Sequence, residues 1–249
     1  MLTTIVAATV AATVTAQAPC FDLPVGTDLN LIDDSVSPAL NLGFTFTYGG
    51  VAYTQIRVCS NGYVWLGAAN AVADWTPTQA ELLAGGPRIC PMWMDFNPAA
   101  AGSGHVYFDN STPGFARVTW AGVYTFGTTI ATDMQITFDL TNSVTVTVGQ
   151  LGPSSNLQGG TTILGACTGG GAIANPISLA TRPAIFLSDT AYEVAATPTG
   201  SSAPYANTKM MWTPTLPGWV VTDVACTPNS LPLPGSAAVV GTGCPSASS

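Results

Sequence analysis

An antiparallel β-sandwich of jelly-roll-like kind, carrying one short helix, is the fold class this sequence predicts. Three observations carry it. Apolar and hydroxyl-bearing residues alternate along several short segments, and in an extended strand such neighbours point to opposite faces. Gly, Pro, Asn and Asp punctuate the gaps between those segments. No segment supports a long helix or a βαβ unit.

The elements follow in chain order. Residues 2–18 are apolar, short and end Ala16-Gln17-Ala18, a small-x-small pattern. They read as a secretory signal peptide over residues 1–18, although no Lys or Arg precedes the apolar run. The alternative is a buried N-terminal strand. A membrane span needs about 20 strongly apolar residues, and Thr dilutes this stretch. Phe44, Phe46 and Tyr48 then alternate with Thr45 and Thr47. Strands are expected at 55–59 and 63–66, joined by Asn61-Gly62, residues that tolerate positive φ.

A two-turn helix is expected next. Thr76 is its candidate N-cap, Pro77 its first residue, and Gln79 completes a capping-box spacing. Gly85-Gly86 ends it. Further strands fall at 89–94, 105–108, 116–120, 161–166 and 184–187. Residues 133–148 form a hairpin: Met134, Ile136, Phe138 and Leu140 alternate with polar residues, then Val144, Val146 and Val148 do, across the turn Thr141-Asn142. The sandwich domain is thus placed at 19–225, and residues 226–249 are a Pro/Ser/Gly-rich linker or the start of a further module.

Composition narrows the function classes. Charged residues are 7% of the chain against about 25% in an average one, so the wet faces must be built from Thr, Ser, Asn, Gln and Gly. The net charge is −8, and the basic residues Arg57, Arg88, Arg117, Arg182 and Lys209 are scattered. Such an acidic chain lacks the basic patch that nucleic acid or an anionic membrane would need. The six cysteines, Cys20, Cys59, Cys90, Cys167, Cys226 and Cys244, all follow the expected cleavage point and include no C-x-x-C pair. Disulfides are therefore expected over zinc or redox chemistry. The pairings expected are Cys59 with Cys90 and Cys226 with Cys244, leaving Cys20 and Cys167.

Three passages taken together are informative: Ser60-Asn61-Gly62-Tyr63-Val64-Trp65-Leu66-Gly67, Arg88 to Pro98 with its Pro91-x-Trp93-x-Asp95 core, and Gly104-His105-Val106-Tyr107-Phe108 leading to Arg117-Val118-Thr119-Trp120. In this order and spacing the chain resembles the nidogen-like (NIDO-type) extracellular β-sandwich, as found in large secreted bacterial proteins. The resemblance runs from about Asp33 to Gly171 and more loosely to Val221. Cys59 and Cys90 depart from the apolar residues expected there, and the hairpin turn lacks Asp-Gly. The resemblance implies matrix or cell-surface proteins and brings no common catalytic set. The late Gly241-x-Gly243-Cys244-Pro245 resembles an element that opens another module in such proteins.

Candidate chemistry is sparse. His105 is the one histidine, so it would be needed by a nucleophilic triad and by most zinc sites. At the head of a strand it reads as structural. Glu81 and Glu193, the two glutamates, and Asp95 could serve a hydrolase. Asp95 reads first as an acceptor for backbone groups at its strand end. Calcium is a possible cofactor, through Asp95, Asn97 and Asp109, or equally through Asp33-Asp34, because hard cations take loop oxygens. Trp65, Trp93 and Trp120 read as core, whereas Tyr63 and Trp75 could form a platform for sugars. Asn110-Ser111-Thr112 is a glycosylation sequon. The expectation is a secreted or cell-surface module for adhesion or protein interaction, without catalysis. A carbohydrate-binding module is the alternative, and an aspartate-dependent hydrolase ranks last.

Overall fold

The computed structural model describes residues 17–23, 26–149, 161–196, 205–229 and 231. Most of the expected signal peptide, and the tail with Cys244, lie outside the described residues. Two antiparallel sheets pack face to face. The larger runs β1(Thr27–Asp28), β7(His105–Asp109), β8(Phe115–Thr125), β9(Ala131–Asp139), β10(Val144–Val148), β14(Thr208–Thr215), β15(Gly218–Asp223) and β12(Ala184–Phe186), with β6(Phe96–Asn97) pairing on β8. The smaller runs β13(Ala191–Ala196), β11(Thr161–Cys167), β5(Arg88–Trp93), β4(Tyr63–Leu66), β3(Val51–Cys59) and β2(Leu40–Tyr48).

The alternation works as expected between the sheets. Leu42, Phe46 and Tyr48 of β2 point inward, as do Met134, Ile136 and Phe138 of β9. Phe46 meets Phe138 edge to face across the sandwich at 5.2 Å, a geometry that adds about 0.5–1.5 kcal/mol to area burial. Trp120 of β8 donates its indole N–H to the Cys59 carbonyl of the opposite sheet. Leu140 breaks the expected pattern. It falls in the turn beyond β9 and is exposed, while Asn142 supplies the positive φ that closes the hairpin.

The centre of the smaller sheet is buried on both faces, since every residue of β4 and β5 is buried. Its outer face carries Cys59, Tyr63, Trp65, Cys90, Trp93, Cys167 and Tyr192. A strap over residues 67–78 covers it. The strap is tied down where Tyr63 and Trp65 donate to the Val72 carbonyl and Trp93 donates to the Asp74 carbonyl. The helix α1(Gln79–Ala84) continues the cover with buried Leu82. Its N-cap is Thr78, not the expected Thr76. Thr78 accepts from the Glu81 N–H while donating its hydroxyl to the Glu81 carboxylate, so one side chain caps the helix and holds Glu81. Thr76 is instead drawn into a turn by the Asp74 carboxylate.

The cysteine pairing also differs from the expectation. The described disulfide is Cys20–Cys226, and Cys59, Cys90 and Cys167 are free and buried. Strand β4 lies between β3 and β5, and Cys59 registers with Tyr63. Two strand spacings separate Cys59 from Cys90, about 9–10 Å, beyond the reach of a disulfide. Cys226 finds Cys20 because a bridge pairs Pro19 with Thr227, leaving the two Cα atoms 4.8 Å apart. Packing therefore continues past the expected break at 226. The Asn229 side chain bonds both backbone groups of Phe21, and Leu231 packs on Phe21 and Ala121.

Candidate functional site

Three loops meet at one corner of the sandwich: residues 30–37, the β3–β4 turn, and the link between β5 and β6. Asn61 organises them. It is fully buried, its carbonyl accepts from Met94 N–H, and its side-chain oxygen accepts from Phe96 N–H. Its side-chain nitrogen donates to Asp34 at 2.8 Å. Gly62 follows at φ +76°, and a Cβ there would sit 2.0 Å from the Met92 carbonyl oxygen. The Asn61-Gly62 pair read as a turn is thus also the clamp of the corner. Asn97 does similar work from the other side, donating to Asp33 at 2.9 Å.

These bonds gather Asp33, Asp34 and Asp95. One carboxylate oxygen from each lies within 4.8 Å of the others. Asp95 is 6% exposed. Its expected role does not hold: its carbonyl accepts from Phe126 N–H, but among the described residues no donor reaches its carboxylate. Burial, then the charges of Asp34 and Asp33, push the Asp95 carboxyl up to about 7. Asp33 is raised too, by burial and by Asp34. One Asp33 oxygen is buried with no hydrogen-bond partner.

The other sequence candidates lie apart from this corner. Asp95 and Asn97 come together, but Asp109 does not join them. Phe96 pairs with Thr125 at one end of β8, whereas Asp109 pairs with Arg117 near the other. A hydrogen bond from Ser111 holds the Asp109 carboxyl below its ordinary range, with help from Arg117. His105 pairs with Asp28 at 2.6 Å and stacks on Tyr107. Glu81 is engaged by Thr78, and Glu193 accepts from Leu179 N–H. Tyr63 is fully buried beneath the strap, so it offers no ring face to a sugar and forms no platform with half-buried Trp75.

The opposite character appears around Asp189. One concavity of about 500 Å³ is lined by Tyr48, Gly50, Asn142, Leu216 and Trp219. A neighbouring one of about 280 Å³ is lined by Ile173, Leu187, Ser188 and Pro217. Asp189 borders both. Leu216, Ile173, Leu187 and nearby Ile185 are all strongly exposed.

The NIDO-related family model matches residues 13–214. This chain belongs to the NIDO-related family. No curated protein and no solved structure matches it. Sequence reasoning had found the NIDO-related domain from its turn and strand motifs, but not the parts played by Asn61 and Arg88. The Asn-Gly signal announced a turn and said nothing of what the Asn side chain would hold. Arg88 looked like one scattered basic residue, yet it is 2% exposed among three aromatic rings.

Proposed function

We propose that this NIDO-related domain is a secreted, non-catalytic module for adhesion or protein interaction outside the cell. The observation that carries the reading is the apolar rim formed by Ile173, Leu187 and Leu216 around two concavities that share Asp189, with exposed Ile185 two residues from Leu187 in the chain. Contiguous exposed apolar surface with a polar border marks a protein interaction site. The border here is Thr47, Asn142, Ser188 and Asp189. The Cys20–Cys226 disulfide fits an oxidising compartment. Among the described residues no helix is long and apolar enough to cross a membrane. Catalysis lacks support because His105, Glu81 and Glu193 lie on different parts of the fold and each already has a partner. Carbohydrate binding ranks behind, since burial of Tyr63 leaves Trp75 without its ring partner.

The test immobilises the domain and measures retention of surface and matrix proteins of the producing cell. Leu187→Asp with Leu216→Asp should abolish retention of a specific protein while leaving the melting curve unchanged, because both side chains are exposed. Hits on a glycan array that survive this double variant would replace the protein-interaction reading with the lectin one.

A further inference from the structure

We propose that Asp33, Asp34 and Asp95 hold a calcium ion at the loop corner of the sandwich. Three carboxylates with oxygens inside 4.8 Å repel one another, and one of them, Asp95, is nearly buried. Among the described residues no Lys or Arg pairs with them. The corner runs from exposed Asp34 through half-buried Asp33 to buried Asp95. Asp95 is 6% exposed, its carboxylate is without a donor among the described residues, and it faces the other two. A nearly buried carboxylate offers its oxygens to something the size of an ion, not to a polymer. The orphaned oxygen of Asp33 makes the same demand.

The supporting shell is that of a cation site. Asn61 and Asn97 each donate one side-chain N–H to a carboxylate oxygen, Asp34 Oδ1 and Asp33 Oδ2. Both amide oxygens are turned away, toward the Phe96 and Ala99 N–H groups. The amides therefore orient the carboxylates and leave their remaining oxygens for the metal, as outer partners do in metal sites. The donor set is all oxygen, which selects a hard cation. Zinc is disfavoured, since the one histidine pairs with Asp28 and the free cysteines lie in the aromatic cluster beneath the strap. Calcium is preferred to magnesium because loop-borne carboxylates tolerate its irregular, water-completed shell, whereas magnesium demands a near-ideal octahedron.

The experiment uses the whole disulfide-bonded chain at neutral pH. Thermal melts are compared in chelator, in calcium chloride and in magnesium chloride, with calcium binding measured by titration calorimetry. Extracellular modules bind calcium with Kd of about 10⁻⁴–10⁻³ M, and calcium at about ten times Kd should raise Tm by about 3–6 °C. Asp95→Asn should abolish the rise, yet melt in chelator no lower than the parent, because a repelled carboxylate has been neutralised. Asp34→Asn, at an exposed position, should weaken calcium about tenfold without disturbing the fold. An unchanged parent melt with no binding heat overturns the proposal, as does a rise that persists in both variants or is matched by magnesium. None of these outcomes depends on whether a protein partner is found.

Discussion

Arg88 shows what a single residue does in a chain so poor in charge. It stands on β5 in register with Trp65. Its guanidinium carbon lies 4.3 Å from the Trp65 ring centroid, 4.4 Å from Trp93 and 5.4 Å from Tyr63. One terminal nitrogen donates to the Glu81 carbonyl, tying β5 to the helix. Nε and the other terminal nitrogen are buried without a hydrogen-bond partner. The ring faces stand in for acceptors, each such contact contributing about 0.5–2 kcal/mol. Arg88→Ala should therefore lower unfolding free energy by about 3 kcal/mol, chiefly through the space left between two indoles. Arg88→Lys should recover little, because a point ammonium cannot lie flat against both rings. Arg88→Met should recover more than Lys, since it fills volume with no charge to desolvate. Urea unfolding followed by tryptophan fluorescence ranks the three. A Lys variant as stable as the parent would show that charge alone, and not the planar stack, matters.

The elements differ in how openly the sequence announced them, and α1 is instructive. Its six residues bury one side chain, Leu82, so its place depends on its ends. Thr78→Ala removes the acceptor for the Glu81 N–H and should cost about 1 kcal/mol, read as a shift in urea midpoint at constant slope. Thr76→Ala should cost less, because Thr76 belongs to the Asp74 turn and not to the helix. With Pro77 read as the first helical residue, the expected cap fell two residues too early, at Thr76 instead of Thr78. Strands half-buried and regular, such as β9 and β10, were legible because their alternation is a direct image of one oily face. Strands β13, β14 and β15 were not. In β14 burial does alternate, with Met210 and Trp212 inside and Met211 outside, but Met210-Met211-Trp212 is apolar throughout and Pro214 follows, so the residue types do not display the period of two. The corner carboxylates were legible only as residue types. Asp33 and Asp95 lie 62 positions apart by number (95 − 33), and the bonds of Asn61 and Asn97 that bring them together are tertiary.

At the scale of the whole molecule, the Cys20–Cys226 bond closes a loop spanning 206 positions and fastens the N-terminal segment to the last described one. That segment covers part of the larger sheet. Phe21 packs near Gly149, Gln135 bonds both backbone groups of Asp22, and Leu231 N–H reaches Asp133. Cutting the bond frees two chain ends whose own contacts are few, while the sandwich core between the sheets stays intact. Cys20→Ser with Cys226→Ser should thus lower stability by about 2–5 kcal/mol, mostly by enlarging the unfolded ensemble, and leave the β-type circular dichroism unchanged. The three free thiols should behave in the opposite way. Burial pushes Cys59 up to about 11 and Cys90 up to about 12, and Cys167 is equally enclosed. Thiolate is the reactive form, so none of the three should alkylate until the domain unfolds. Mild reduction followed by alkylation and peptide mass spectrometry should label Cys20 and Cys226 first, with Cys59, Cys90 and Cys167 appearing only in denaturant. Recovery of a Cys59–Cys90 cross-linked peptide from the native protein would contradict the strand order β3-β4-β5, because β4 holds those sulfurs apart.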